Sequence, residues 1–292
     1  MLYSPINYTG NKSRIINEIV KLIPKDIVHF TDVFCGSGIV GLSVNAEETI
    51  LNDIDNTILD LISFFKNNEP KKIINEVDKI IANYGLTNTY YEGKSKYIEY
   101  KHEGLSLYNK QAYENLKKSY NKSKNIFELF TLIIYGFNHY IRFNKNGEYN
   151  IPVGKVDFVK SLREKTNNYC NIIQNKNLIL TNFDFRNKNM YFNLNAKDFY
   201  YFDPPYLITL APYNTIWTEK EEIELLQLLD WLNEKHVKFA LSNVIESNGK
   251  ENKLLKQWMT KYNVHYLNRR YLNASYQKKN LSDAIEVVIT NY

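Results

Sequence analysis

The chain has 292 residues, of which 44% are hydrophobic and 24% charged. This composition is typical of a folded globular protein and excludes disordered and fibrous classes. Its apolar runs are shorter than the roughly 20 residues of a membrane span, and its first residues do not resemble a secretory leader. With only Cys35 and Cys170 it has no disulfide framework, so we expect a cytoplasmic protein without a membrane partner.

The net charge of +5 is unevenly distributed along the chain. Residues 66–160 contain 16 Lys+Arg and 10 Asp+Glu, a net charge of +6, which leaves −1 for all other residues. A basic segment of this kind favours contact with a polyanion such as nucleic acid. A solvated, lysine-rich helical face would produce the same count, so charge alone leaves both interpretations open.

Apolar, β-branched runs alternate with amphipathic stretches at both ends of the chain, which is typical of an α/β fold with a parallel sheet. In chain order, we predict a helix over 13–22, strands over 27–33 and 49–52, helices over 71–84, 108–120 and 126–140, strands over 178–181 and 199–202, a helix over 219–234, a strand over 237–242, a helix over 254–259 and a strand over 284–290. The middle is mainly helical, so we predict one domain of residues 1–64 and 160–292 and an inserted domain of residues 65–159.

A glycine-rich turn, Asp32-Val-Phe-Cys-Gly-Ser-Gly-Ile-Val-Gly41, follows the first predicted strand and opens a helix. Its glycines allow a tight turn and a close approach of the backbone to a ligand. Asp53, at the end of the second predicted strand, can accept hydrogen bonds from both hydroxyls of a ribose. Sites for NAD and for S-adenosylmethionine share these features, so the two cofactors are not separated at this point.

A second motif, Asp203-Pro-Pro-Tyr206, follows the predicted strand 199–202 directly. This places it at the carboxyl edge of the sheet, where open α/β folds bind ligands. The two prolines fix the backbone and lack N–H donors, so a carboxylate and a free carbonyl oxygen are available to accept from an exocyclic amine. Tyr206 adds an aromatic face for the flat base that carries such an amine.

Four motifs, in this order along the chain, resemble those of the Dam-like DNA adenine-N6 methyltransferases. They are Tyr8-Thr-Gly-Asn-Lys12, Asp32 to Gly38, Asp53, and Asp203 to Tyr206. The segment Arg142 to Lys155 resembles the DNA-reading loop of that family, and Arg270 to Ser275 and Glu286 to Thr290 resemble its last strands. The resemblance implies a Rossmann-like, mostly parallel sheet with an antiparallel last strand, interrupted by a mainly helical DNA-recognition domain.

The resemblance also implies roles for individual residues, with S-adenosylmethionine as cofactor and double-stranded DNA as substrate. The expected catalytic residues are Asp203, Pro204, Pro205 and Tyr206. The expected cofactor-binding residues are Tyr8, Lys12, Phe34, Gly36, Gly38, Asp53, Ile54, Asp184 and Asp203, with Lys12 on the methionine carboxylate. The expected DNA-binding residues are Asn7, Arg142, Asn144, Lys145, Asn146 and Lys155.

Several alternatives are compatible with part of the sequence. A cytosine-N4 methyltransferase would use the same amine chemistry, an NAD-dependent oxidoreductase would use the glycine turn, and an inactive DNA-binding module would keep the basic segment. Asn146 stands where relatives that read GATC place arginine, so no recognition sequence is inferred. The histidines lack ligand spacing, so we expect no metal. We expect a monomer that acts beside a cognate restriction endonuclease.

Overall fold

A computed structural model describes residues 2–8, 10–100, 104–192, 194–209, 217–267 and 284–292. The chain divides into two compact units. The first, here called the helical unit, comprises Met1–Asn11 and Asp60–Asn175, and the second, the sheet unit, comprises Lys12–Leu59 and Lys176–Tyr292.

Eight strands of the described residues form the sheet of the second unit. They are β1 (His29–Asp32), β2 (Glu48–Asn52), β3 (Leu178–Thr181), β4 (Asp198–Phe202), β5 (Lys238–Ser247), β6 (Lys250–Glu251), β7 (Asn263–Tyr266) and β8 (Ile285–Thr290). The strand order is β3-β2-β1-β4-β5-β8-β7, with β6 paired to β5. Strands β1 to β5 pair in parallel, whereas β8 runs antiparallel to β5 and β7. The predicted fold class, with its antiparallel last strand, is therefore confirmed.

The described α-helices follow in chain order. They are α1 (Ile16–Leu22), α2 (Ile39–Ser43), α3 (Asn56–Asn67), α4 (Pro70–Tyr84), α5 (Thr89–Glu92), α6 (Ser106–Ser123), α7 (Ile126–Tyr135), α8 (Lys160–Gln174), α9 (Glu219–Glu234) and α10 (Lys253–Trp258). Short 3-10 segments cover Lys94–Tyr100, Phe137–His139, Lys188–Tyr191 and Met259–Lys261.

The order in which the strands are added to the sheet reverses at its centre, between β1 and β4. The chain proceeds from β1 outward to β2 on one side, and β4 pairs with β1 on the other, with Asp32 opposite Tyr201. All five residues of β4 are buried, as expected of a central parallel strand covered on both faces. In folds of this type, ligands bind beyond the carboxyl ends of the strands that flank this point.

One glycine of the predicted turn is needed for helix–sheet packing. Helix α2 begins after Gly38, and Gly41 faces β2 so closely that an added Cβ would collide with Leu51 Cδ2 and lie 3.2 Å from Thr49 Cγ2. The role of Gly41 is therefore steric, and it allows α2 to lie directly on the sheet.

The helical unit is organised around α7, whose residues from Leu129 to Tyr135 are all buried. A helix that is apolar on every side belongs in a core. Phe65 packs against Phe130 and Tyr169, with ring centroids 5.1 and 5.3 Å apart. Because Tyr169 lies on α8, that helix belongs to this unit. The helical unit is thus longer at both ends than the predicted insertion of residues 65–159.

Several elements differ from the sequence-based prediction. Helix α7 ends at Tyr135 and not at 140, because Gly136 is extended and Asn138 adopts a left-handed φ of 52°. Helices α3 and α8 and the edge strand β7 were not predicted. Helix α8 has the polar residues Arg163 and Thr166 on its buried face, and the residues of β7 are partly or fully exposed. The predicted strand at Arg270 to Ser275 lies outside the described residues.

Candidate active site

The glycine turn and Asp53 form one hydrogen-bonded structure at the carboxyl edge of the sheet. Gly36 and Gly38 have φ values of 48° and 71°, which favour glycine. The Gly36 N–H donates to Asp53 Oδ2 at 2.8 Å, and the Asp55 N–H donates to Asp53 Oδ1 at 3.0 Å. Burial raises the pKa of the Asp53 carboxyl to about 6, against the opposing effect of these backbone donors.

Asn52 holds the ends of three strands together, and sequence reasoning did not identify it. Its amide nitrogen donates to the Val33 and Phe183 carbonyl oxygens, both at 2.9 Å. Its amide oxygen accepts from the Phe183 N–H at 2.8 Å and from the Thr181 hydroxyl at 3.0 Å. Asn52 therefore fixes the position of the neighbouring Asp53.

Asp32, at the end of β1, has one carboxylate oxygen in use and one without a partner. Its Oδ2 accepts from the Gly41 N–H at 3.1 Å, whereas Oδ1 is buried and has no hydrogen-bond partner among the described residues. Burial raises the pKa of Asp32 well above its ordinary value. An unpartnered buried acceptor beside a glycine turn is a feature that a bound donor group would satisfy.

Four residues form a cluster at the end of β4, in which Lys12 and Glu286 are buried and Asp203 and Tyr206 are partly exposed. Lys12 Nζ lies 2.6 Å from Asp203 Oδ2 and 3.7 Å from Glu286 Oε1, and it donates to the Tyr206 hydroxyl at 2.6 Å. The Tyr206 hydroxyl lies 2.9 Å from Asp203 Oδ1 and 3.3 Å from Glu286 Oε1. We call these residues, Lys12, Asp203, Tyr206 and Glu286, the Lys12 cluster.

The Lys12 cluster changes the interpretation of two predicted residues. Lys12 was expected to contact the methionine carboxylate, but only 3% of its side chain is exposed and it pairs with Asp203. Tyr206 was expected to offer its ring, and its hydroxyl is anchored in the same cluster. Burial raises the pKa of Asp203, and the neighbouring Lys12 charge opposes that rise. Sequence reasoning placed Glu286 only on a last strand and gave it no role.

Three aromatic side chains pack together next to the glycine turn. Phe34 is half-buried, with ring centroids 5.7 Å from both Phe185 and Trp217. The Trp217 indole N–H donates to the buried Glu222 at 2.8 Å, which fixes the ring. Ile54, directly after Asp53, is 59% exposed. An exposed apolar side chain next to this buried carboxyl suits the packing of a flat ring.

Asp184 forms an ion pair with Arg186, two residues further along the chain. Arg186 Nε and Nη2 donate to the two Asp184 oxygens at 2.7 and 2.6 Å, and Arg186 Nη1 reaches Glu224 at 2.9 Å. The Arg186 guanidinium lowers the pKa of Asp184. The predicted contact of Asp184 with cofactor thus competes with an ion pair already formed.

Within the helical unit, residues 142–150 form a tight hairpin with Gly147 at a φ of 71°. Asn144 Oδ1 accepts from the Asn146 and Glu148 N–H groups at 2.9 and 3.0 Å, which closes the turn. Arg142 donates to the Asn150 side chain at 2.8 Å and to its backbone oxygen at 3.2 Å. Of the four predicted DNA-binding residues in this hairpin, two therefore stabilise the hairpin itself.

The tip and the base of this 142–150 hairpin have different surroundings. Lys145 and Asn146 are exposed at the tip. At the base, Tyr149 is 1% exposed, and its N–H donates to the α6 residue Asn121 at 2.8 Å. Lys124 donates to the Gly147 carbonyl oxygen at 2.8 Å. Sequence reasoning missed both anchors, Asn121 and Lys124.

The other predicted residues of the helical unit lie on its surface. Lys155 is exposed, and Asn7 donates from its exposed amide to the Asn138 carbonyl oxygen at 2.7 Å. Tyr8 is half-buried. In the described part of the chain, no group of three or more His, Cys, Asp or Glu side chains is arranged to hold a metal ion. None of the described helices has the length and apolar character that crossing a bilayer requires.

Comparison with known proteins identifies the family. The model of the D12 class N6 adenine-specific DNA methyltransferases matches residues 8–273. The chain therefore belongs to this family, and the resemblance seen in the four motifs is confirmed. This membership decides against the NAD-dependent oxidoreductase and favours adenine N6 over cytosine N4. The family implies a methyl donor.

Individual relatives agree with this assignment. The type II methyltransferase M.FokI of Planomicrobium okeanokoites is 36% identical over 99% of this chain, and the modification methylase StsI of Streptococcus sanguinis is 34% identical over 99%. The chain spans 43% of the length of each of these two relatives. The DNA adenine methylase of Escherichia coli strain K12 is 19% identical over 91% of this chain and 87% of its own length.

Proposed function

We propose that the sheet unit binds S-adenosylmethionine and transfers its methyl group to N6 of adenine in double-stranded DNA. The observation that carries this proposal is the Lys12 cluster, which lies beyond the end of β4, where the strand order of the sheet reverses. There the Asp203 carboxylate is fixed by Lys12 and by the Tyr206 hydroxyl. Asp203 lies on the edge that also carries the Gly36–Gly38 turn.

The residues at this edge fit the proposed cofactor. Asp53 would accept from the ribose hydroxyls, Ile54 and Phe34 would border the adenine, and the free Oδ1 of Asp32 would accept from a donor such as an ammonium group. When bound, S-adenosylmethionine supplies an electrophilic methyl carbon on a positively charged sulfur.

Asp203 and the Pro204 carbonyl oxygen would act on the acceptor amine. The lone pair of an adenine amine is delocalised into the ring, so the amine is a weak nucleophile. Two fixed acceptors draw its hydrogens out of the ring plane and stabilise the positive charge that develops on nitrogen. Preorganised groups of this kind contribute roughly 10²- to 10³-fold each to the rate.

The substrate adenine has to leave the duplex to reach this site, at a cost of a few kcal/mol. We propose that the Tyr206 ring stacks on the extruded base. Because the Tyr206 hydroxyl is bonded within the Lys12 cluster, the ring is held in place before the base arrives. Phosphate contacts from the basic helical unit, including Lys155 and Asn7, would offset the cost of extrusion.

We further propose that the tip of the 142–150 hairpin reads the DNA sequence. Lys145 and Asn146 are exposed there, and both side-chain types can hydrogen-bond base edges in the major groove. Arg142 and Asn144 would act indirectly, because their polar groups shape the hairpin. Since relatives carry the names of modification methylases, we propose that this protein protects DNA from a cognate endonuclease, and that it acts as a monomer.

The test is methylation of duplex DNA by the wild type and by Asp203→Asn, with cofactor and DNA binding measured on both. We expect the variant to bind both ligands and to lose at least about 10²-fold in kcat. A wild type that binds DNA but transfers no methyl group would instead identify an inactive DNA-binding module. A fully active Asp203→Asn would refute the role of Asp203.

A further inference from the structure

Glu286 is a buried carboxylate at the proposed transfer site. It lies on β8, is 1% exposed, and is followed by three fully buried apolar residues, Val287 to Ile289. A carboxylate at such a position is costly unless it is paired. Its Oε1 lies 3.7 Å from Lys12 Nζ and 3.3 Å from the Tyr206 hydroxyl. Glu286 is therefore held through the same two residues that contact Asp203.

We propose that Glu286 is a positioning residue for methyl transfer, which orients Lys12 and the Tyr206 hydroxyl at Asp203 and counters the Lys12 charge. This inference rests on the proposed function. It extends that function because Glu286 touches neither the base nor the cofactor in this scheme and acts through Lys12 and Tyr206.

Charge balance provides the first argument. When ionised, the four residues of the Lys12 cluster contribute two carboxylates and one ammonium group, a net charge of −1 from these four side chains. During transfer the N6 lone pair forms the bond to the methyl carbon, and sulfur keeps the electron pair of the broken bond. Positive charge thus moves onto N6, next to Asp203. If Lys12 were paired with Asp203 alone, the pair would be neutral and would stabilise this charge less.

The position of the Tyr206 proton provides the second argument. After transfer, N6 carries one proton too many and passes it to Asp203. The single hydroxyl proton of Tyr206 can be donated to Asp203 or to Glu286, which lie 2.9 and 3.3 Å away. Once Asp203 is protonated, the hydroxyl can donate to Glu286 and accept from Asp203. Glu286 therefore provides a second acceptor when the charge of Asp203 is neutralised.

The groups around Glu286 and Asp203 determine the expected pH effect. Lys12 and Tyr206 contact both carboxylates, Asp32 lies near Asp203, and the Tyr201 hydroxyl is bonded to Ser242 at 2.6 Å. On β7, His265 shares the Glu286 face of the sheet, and its ring lies 3.3 Å from the Thr290 hydroxyl. The charge of Glu286 raises the pKa of Asp203, so its removal should lower that pKa.

The experiment compares kcat against pH for the wild type, Glu286→Gln and Glu286→Asp at saturating cofactor and DNA. We expect Glu286→Gln to lower kcat by about tenfold or more and to move the acidic limb to lower pH. Glu286→Asp, which keeps the charge, should leave the limb in place while lowering kcat. The matched control is Asp198→Asn, which removes a buried carboxylate from the opposite end of β4, where Asp198 pairs with His29.

The outcomes distinguish a failure of the proposed methyl transfer from a failure of the positioning role of Glu286. A wild type without methyl transfer overturns the proposed function. With an active wild type, a Glu286→Gln variant with an unchanged kcat, or with a lower kcat and an unmoved acidic limb, overturns the positioning role. If Glu286→Gln fails to fold, Glu286→Asp decides the question, because a wild-type kcat in that variant contradicts the proposal.

Discussion

Lys12→Met separates two roles for this lysine, because the substitution replaces the cation of the Lys12 cluster by an apolar side chain of similar length. Lys12 Nζ lies 2.6 Å from one carboxylate and 3.7 Å from the other. A unit charge pair about 4 Å apart contributes roughly 4 kcal/mol at an effective dielectric constant near 20. Removing one partner of a buried pair costs about 3–5 kcal/mol, and we expect a fall of this size in the free energy of unfolding at about pH 8.

The destabilisation should shrink at lower pH. Without Lys12, the ionised form of Asp203 loses the cation that opposes the rise in its pKa, so the pKa of Asp203 rises further. Protonation removes the unpaired charges, and the variant then approaches the stability of the wild type as the pH falls. Denaturant unfolding at several pH values measures this trend.

Kinetics then separates the two roles. If Lys12 acts on Asp203, Lys12→Met lowers kcat by at least about 10²-fold even at saturating S-adenosylmethionine. If Lys12 binds the methionine carboxylate, the variant raises the cofactor Kd and recovers kcat at saturation. The control is Lys176→Met, a half-buried lysine of the same unit that donates to the Val44 carbonyl oxygen. A variant with normal kcat and weakened cofactor binding would refute the role inferred from the Lys12 cluster.

Three further predictions test other parts of the structure. Cofactor affinity should fall as the pH drops through about 6, where Asp53 becomes protonated, and Asp53→Asn should remove this dependence in isothermal titrations. Gly41→Ala should lower the free energy of unfolding by about 1–3 kcal/mol, because its Cβ collides with Leu51, and an unchanged Tm would contradict the packing. In a randomised DNA pool, Lys145→Ala should relax preference at one base pair by about 1–3 kcal/mol, whereas Arg142→Ala should weaken methylation of all sequences alike.

The strands of the sheet could be predicted because a strand buried on both faces has a continuous apolar sequence, as residues 199–202 do. The helix 219–234 could be predicted from its apolar periodicity, and it also carries a capping box at Thr218 and Glu221. Helix α8 was missed because its buried face includes Arg163 and Thr166. Arg163 pairs with Asp78 of α4, and the Thr166 hydroxyl donates to the Leu162 carbonyl oxygen one turn earlier. Strand β7 lies at an edge and has no continuous apolar run.

The motifs of the candidate site could be recognised, but the contacts between them could not. Lys12 and Glu286 are 274 positions apart, and no spacing rule relates them to Asp203. Their pairing depends on β8 lying next to β5, with Lys12 placed before α1. In the same way, Arg142 and Asn144 form hydrogen bonds within their own hairpin, and these bonds follow from turn geometry that composition does not reveal.

The most direct test of the proposed reaction incubates the protein with duplex DNA and S-adenosylmethionine that carries an isotopic label in its methyl group. The DNA is then digested to nucleosides, which are separated and identified by mass spectrometry. We predict that the label appears in N6-methyladenine and is lost with Asp203→Asn. Label in N4-methylcytosine, or equal labelling of N6-methyladenine by the variant, would contradict the account.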